Sequence, residues 1–169
     1  MDAVTVFAIQ YSLSFVVYTL IVVWFVIPWV RQKHIRDAVT PLLFLHAMRS
    51  LGLTYLVPGV ADPSLPQAFT QPTAYGDLVS AGLALVCLLA LRYLPKTATN
   101  DPALLLVWVF NSVGLVDLVI AITIGLQVGI LNYELGSMWY VPAYIVPALI
   151  VTHLALFWML WKHHRGEWH

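Results

Sequence analysis

Charge is what this chain has least of: eight Lys and Arg against eight Asp and Glu, 9% of 169 residues and a formal net charge of zero. Soluble domains carry about a quarter charged residues, so a water-facing surface cannot be assembled from this sequence. The balance leaves no basic face to neutralise phosphates, which removes electrostatic support for nucleic-acid binding. The single cysteine, Cys87, excludes an intrachain disulfide and a cysteine-based metal cluster, and reads as packing. No lysine falls inside an apolar run, so a retinal Schiff base has no anchor. P-loop, dinucleotide, HExxH, GxSxG and CxxC patterns are missing, so nucleotide hydrolysis, hydride transfer, zinc proteolysis of the usual pattern and serine hydrolysis lack their residues.

What is there is apolar, 61% of the chain. Five runs are long enough to cross about 30 Å of hydrocarbon at 1.5 Å per residue, roughly residues 4–30, 38–57, 74–94, 102–130 and 138–161. The sequence therefore predicts an all-α integral membrane protein, a five-transmembrane-helix bundle forming one domain over residues 1–169. The first run lacks a basic leader, opens with Asp2 and is too long for a signal h-region, so it is expected to stay in the mature chain.

The positive charges set an orientation. Arg31, Lys33 and Arg36 follow the first run, Arg92 and Lys96 the third, Lys162 and Arg165 the fifth, and the remaining connections hold none. An N-terminus outside and a cytoplasmic C-terminus place all of them on one side, as in a bacterial inner (plasma) membrane. Trp29, Trp158 and Trp161 fall at the inner boundary, and Trp139 and Tyr140 at the outer one. The outer loop PGVADPSLPQAFTQPT, residues 58–73, has four prolines and is expected to be irregular and stiff, either a lid or a passive connector.

Against this background Arg49 and Asp117 stand out, opposite charges near the middle of apolar runs. A charge at bilayer depth costs about 2.5–3.5 kcal/mol on translocon scales, which makes it a functional-site hypothesis. Counting from the cytoplasmic ends puts His46, His153 and Asn111 each nine residues in, at about 13–14 Å. Arg49 is one turn beyond His46, with Ser50 and Thr54 extending the same helical face. Asp117 shares a face with Gly114, Ala121 and Gly125, small residues that allow close helix approach. The same count puts Arg49 at about 18 Å and Asp117 at about 22 Å, a gap that an arginine side chain and modest tilt can close, so an ion pair is expected; such a pair serves either ligand binding and proton movement or simply helix register.

Pro147 is expected to free the Ala143 carbonyl and bend the last span, with Pro142 before it. Tyr140, Tyr144, Tyr11, Ser14 and Tyr18 then offer a polar-lined outer pocket with an aromatic wall. Asp77 reads as a cap in the first turn of the third span, and with Glu134 it is an acid at the pocket mouth that favours cationic or hydrogen-bonding ligands. His34, His163, His164 and His169 read as interfacial residues rather than metal ligands.

Three functions fit. The first is binding, and in one version transport, of a small polar or amphipathic ligand at a site of Arg49, Asp117, His46, Asn111, His153, Tyr144 and Tyr18. Lacking an internal repeat, the chain suits a homodimer or binding without transport. The second is an electron-transfer protein holding haem b, or a metal, between His46 and His153. The third is a membrane-embedded enzyme acting on a lipid or isoprenoid, with His46, Asp117 or His153 as acid and base. The expected partners are the lipid bilayer and a small-molecule or lipid-like ligand. In helix count, length and tryptophan content the chain resembles the five-helix translocator-protein family of porphyrin and sterol binders. That family's tryptophan- and proline-containing signatures are absent, so the likeness is architectural and transfers no residue.

Overall fold

A computed structural model describes residues 1–96 and 101–168, all helix and connection, with no strand among them. The elements are α1 (Ala3–Val30), α2 (Ile35–Ala47) continued by a 3-10 segment (Met48–Leu56), α3 (Gln67–Tyr93), α4 (Pro102–Val128) and α5 (Gly136–His164). Four of these, α1, α3, α4 and α5, are long and apolar enough to cross a membrane. They are apolar around most of their circumference, with Leu13, Trp24, Phe25, Leu89, Leu105 and Val119 exposed, the pattern of a helix that does not face water.

The second run differs. Its 13 α-helical and nine 3-10 residues rise about 37 Å together, the length of a crossing without a continuous α-helix. Nine residues is long for 3-10, where runs beyond three or four are uncommon. Side chains three apart eclipse in this geometry, and the buried residues of the segment are Arg49, Gly52 and Tyr55. The tighter winding thus turns a three-residue period into one inward face. The expected stripe of Arg49, Ser50 and Thr54 is not formed: Ser50 is exposed, because the segment is not an α-helix.

Two helices widen by one residue before a proline. In α1 a π-turn spans Val22–Val26, with Ile27 N–H bonded to the Val22 carbonyl just before Pro28. In α5 a π-turn spans Val141–Ile145, with Val146 N–H bonded to the Val141 carbonyl just before Pro147. Proline lacks an N–H and its ring crowds the carbonyl four residues back, and the extra residue relieves that crowding. The irregularity expected at Pro147 therefore takes the form of a π-turn.

The outer connection is shorter than its prolines predict. Gln67–Thr73 already belongs to α3, with Pro72 inside the helix, so the irregular stretch ends at Pro66. It docks on the α4–α5 connection, where Asp62 N–H donates to the Glu134 carbonyl at 3.1 Å. Beneath it Tyr55, Leu65, Phe69, Leu135 and Met138 form a small core at this end of the bundle. A larger core of residues such as Val39, Leu43, Phe110, Leu156 and Met159 fills the opposite end.

That opposite end also gathers seven of the eight Lys and Arg, all but Arg49. Arg36 is buried there with every N–H used: Nε and Nη2 grip Asp101 at 2.8 and 2.7 Å, and the rest reach the Leu91, Leu94 and Pro95 carbonyls. One side chain thus joins the carbonyl end of α3 to Asp101, the N-cap of α4. Trp168 Nε1 donates to the Lys33 carbonyl at 3.1 Å and Arg31 lies over Trp158, which ties the C-terminal tail to the first connection. His169 of the predicted interfacial group lies outside the described residues.

Burial works to raise the Asp101 carboxyl, but hydrogen bonds from Arg36 and from the Ala103 and Leu104 amides outweigh it and hold the group below its ordinary 3.8. A depressed carboxyl contributes stability that is fully present above its unfolded value and lost as pH falls through the folded one. Asp101→Asn keeps the cap and removes the charge, so we expect a loss of about 3 kcal/mol near neutrality. Thermal midpoints in detergent should show this gap constant above about pH 5 and closing at pH values below 3.8; a pH-independent gap would show that the charge is not what matters.

Candidate functional site: a buried arginine between two carboxyl groups

Between the two apolar cores lies a polar layer centred on Arg49, whose side chain is 1% exposed. Its Nε donates to Asp77 Oδ1 of α3 at 2.8 Å, and its Nη2 to Asp117 Oδ2 of α4 at 2.6 Å. Nη1 donates to the Gly114 carbonyl at 3.1 Å and faces His153 Nε2 at 3.5 Å. The guanidinium therefore ties the 3-10 segment to α3, α4 and α5. Unlike Arg36, it meets two carboxyl groups with one positive charge.

A histidine pair continues the layer. His153 Nδ1 donates to Asn111 Oδ1 at 2.7 Å, and Asn111 returns Nδ2–H to the His153 carbonyl at 3.1 Å. This leaves Nε2 as the acceptor that faces Arg49. His46 packs against His153 with centroids 4.0 Å apart and the rings tilted by 41°. Thr152 spends its hydroxyl proton on the Ala148 carbonyl at 2.8 Å and so accepts from His46 Nε2 at 3.1 Å, while His46 Nδ1 has no partner among the described residues.

Glycines make room for these groups. A Cβ on Gly52 would overlap Asp77 Oδ2, and one on Gly76 would overlap Asp117 Oδ1. A Cβ on Gly114 would come within 2.7 Å of His153 Cε1 and 3.1 Å of Arg49 Nη1. The 3-10 segment, α3 and α4 thus each give up a side chain at the point where a polar group from a neighbouring helix lies. The small-residue face expected around Asp117 is used in this way at Gly114.

Beside the cluster opens a cavity of about 1200 Å³ between α1 and the 3-10 segment, walled by α4 and α5. Its lining is apolar and aromatic, including Phe7, Tyr11, Tyr18, Tyr55 and Phe69. Among the described residues, Arg49 and Asp77 are its only Lys, Arg, Asp or Glu, joined by the hydroxyls of Ser50, Thr54, Thr73 and Thr152. Several lining residues, Ile21, Leu45, Met48, Leu51 and Leu126, are 39–77% exposed, so the mouth has an apolar rim. A water-filled cleft would have a polar one.

Of the residues expected to bind ligand, Arg49 and Tyr18 line this cavity. Asp117 and His153 touch Arg49 from behind the wall, His46 and Asn111 touch His153, and Tyr144 stands apart against Tyr140. The aromatic wall comes instead from α1, the 3-10 segment and the start of α3. Asp77 is corrected: it is the eleventh residue of α3, not a first-turn cap, because the helix starts at Gln67. Its role was hidden by that early start, although a carboxyl among Thr70, Thr73 and Ser80 at steps of three and four is a visible polar face.

The histidine pair does not fit a haem. Two axial histidines face each other across an iron with about 2 Å to each nitrogen and the macrocycle plane between them. Here the rings are in direct contact, with centroids 4.0 Å apart and planes tilted by 41°, both residues are fully buried, and both His153 nitrogens face protein groups. No group of three or more His, Cys, Asp or Glu with metal-holding geometry occurs among the described residues.

Two stability measurements follow. Arg49→Met leaves two carboxyl groups facing each other without a counter-charge, and should destabilise by about 3–5 kcal/mol. Adding Asp77→Asn and Asp117→Asn should restore a large part; additive losses in unfolding titrations would refute the coupling. Gly76→Ala and Gly114→Ala should each cost about 1–3 kcal/mol by overpacking. Gly82→Ala, whose Cβ would meet nothing within 4 Å, should be neutral or stabilising by up to about 1 kcal/mol.

No curated protein and no solved structure matches this chain. A family model described as a domain of unknown function (DUF8737) matches residues 6–161, nearly the whole sequence and every residue of the Arg49 cluster. The chain belongs to the DUF8737 family.

Proposed function

We propose that this protein is a five-crossing plasma-membrane protein that binds a small amphipathic ligand in the cavity beside Arg49. The observation that carries this reading is the combination of a cavity of about 1200 Å³, an apolar rim and one buried ion cluster on its wall. Ligand pockets of about 300–1000 Å³ are mostly apolar with a few placed polar groups, and this one has that make-up at a slightly larger size. An apolar mouth admits a molecule that is already dissolved in lipid.

The fifth crossing is the α2 and 3-10 run, which has the length for it. The orientation, with the N-terminus outside, is supported by the gathering of seven cationic residues at the α1–α2 connection, the α3–α4 connection and the tail. Arg49 then lies within the bilayer, where its cost is met by Asp77 and Asp117. The layered polar groups behind it, His153, Asn111 and His46, fix the arginine's rotamer and leave Asp77 as the charged partner on the cavity side. Binding requires no internal repeat, which suits a ligand-holding bundle better than an alternating-access carrier.

The test uses protein in zwitterionic nanodiscs and a neutral single-chain probe, pyrene-labelled dodecanol, read by energy transfer from tryptophan. Wild type should show saturable transfer, and Ala121→Phe, which projects into the cavity, should abolish saturation while keeping its thermal midpoint. Transfer that rises linearly in both proteins, as in empty-disc partitioning, would sink the reading.

A further inference from the structure

Resting on the cavity reading above, we propose that the cavity's polar end selects an amphiphile with a cationic amine head group, seated against Asp77, Thr73 and the Tyr55–Phe69 pair. The charge distribution favours this class first. Arg49 is the one base on the wall, but it is shielded, with a side chain 1% exposed and its Nη2 committed to Asp117 behind the wall at 2.6 Å. Asp77 has more than ten times that exposure, 12%, and lies on the cavity side. One guanidinium serving two carboxyl groups leaves the second carboxyl to be balanced from elsewhere. An anionic head group would meet an arginine already engaged twice. A cation would meet a carboxylate that still has lone pairs to offer.

Two independent observations point to the same end of the cavity. Thr73, one helical turn from Asp77 and 92% buried by its 8% exposure, lines the cavity, and its Oγ1 has no hydrogen-bond partner among the described residues. Buried hydroxyls are seldom left unpaired without cause, and an ammonium seated on Asp77 one turn away supplies the missing donor once it displaces the atoms that now cover this oxygen. Tyr55 and Phe69, 5.3 Å apart and edge to face, also line this region, with Tyr55 one 3-10 step beyond Gly52. Aromatic faces beside a carboxylate are a setting in which alkylammonium groups are held. The apolar remainder of the cavity, from Tyr18 to Val26 of α1, takes the chain.

The experiment is displacement of the pyrene-labelled dodecanol from nanodisc protein by dodecylamine, dodecanol and dodecanoate, corrected with empty discs. Dodecylamine should displace at a concentration about tenfold or more below that of dodecanol, the worth of one charge-assisted hydrogen bond, with dodecanoate weakest. Asp77→Asn should bring the amine-to-alcohol ratio within about threefold of one, and Thr73→Val should lower it in the same direction. If Asp77→Asn fails to fold, the Thr73→Val ratio decides. Equal displacement by amine and alcohol, a preference for dodecanoate, or a ratio unmoved by these changes would overturn the head-group class while leaving the cavity reading standing. Absence of saturable probe binding would overturn both.

Discussion

A buried guanidinium must be neutralised and hydrogen-bonded on every side, and at Arg49 that requirement organises the packing around it. The desolvation penalty for an ion is several kcal/mol even after relaxation, and it is offset only by close, well-directed partners. Supplying them takes Asp77 from α3, Asp117 and the Gly114 carbonyl from α4, and His153 from α5. Each partner must come near enough for contacts of 2.6–3.5 Å, and the backbones at Gly52, Gly76 and Gly114 can approach that closely only because they carry no Cβ. The 3-10 winding belongs to the same constraint, since it puts Arg49, Gly52 and Tyr55 on one line facing α3.

The two buried arginines divide structure from site. Arg36 spends all its donors on one carboxylate and three main-chain carbonyls at the end of α3, where the carboxyl terminus of a helix favours a cation. It does not line the cavity beside Arg49. Arg49 sits mid-bundle beside open volume, with one donor facing a histidine at 3.5 Å and one carboxyl partner on the cavity wall. A pin for holding helices alone needs neither the second carboxyl group nor the adjoining space. This contrast within one chain supports placing function at Arg49 and not at Arg36.

Packing around the cavity follows from how little α1 is held. It leans on α5, whose π-turn and prolines shape the facing surface, and it leaves the 3-10 segment across an apolar gap. Only 17% of its most apolar window is buried within the chain. A helix so lightly packed has low local stability, so the wall it forms is the part of the cavity best able to move outward. Gln10 accepting from Trp139 Nε1 at 2.7 Å is its polar tie to the start of α5.

The sequence by itself determined the helical class, the extent of four long apolar helices to within several residues, and the one-sided placement of cations, because apolar length and charge position are local properties. Equal spacing from helix ends also brought out His46, His153 and Asn111, and the depth of Asp117 pointed to its pairing with Arg49; these side chains do meet. Tertiary structure alone decided that Asp77 is the second counter-ion, that the histidine rings pack directly against each other, and that the cavity wall excludes Tyr144. The reason is common to all three. Each depends on a phase, where a helix starts or whether it winds as α, 3-10 or π, and a shift of one residue turns a side chain by about 100°, which no apolar count records but helix packing fixes.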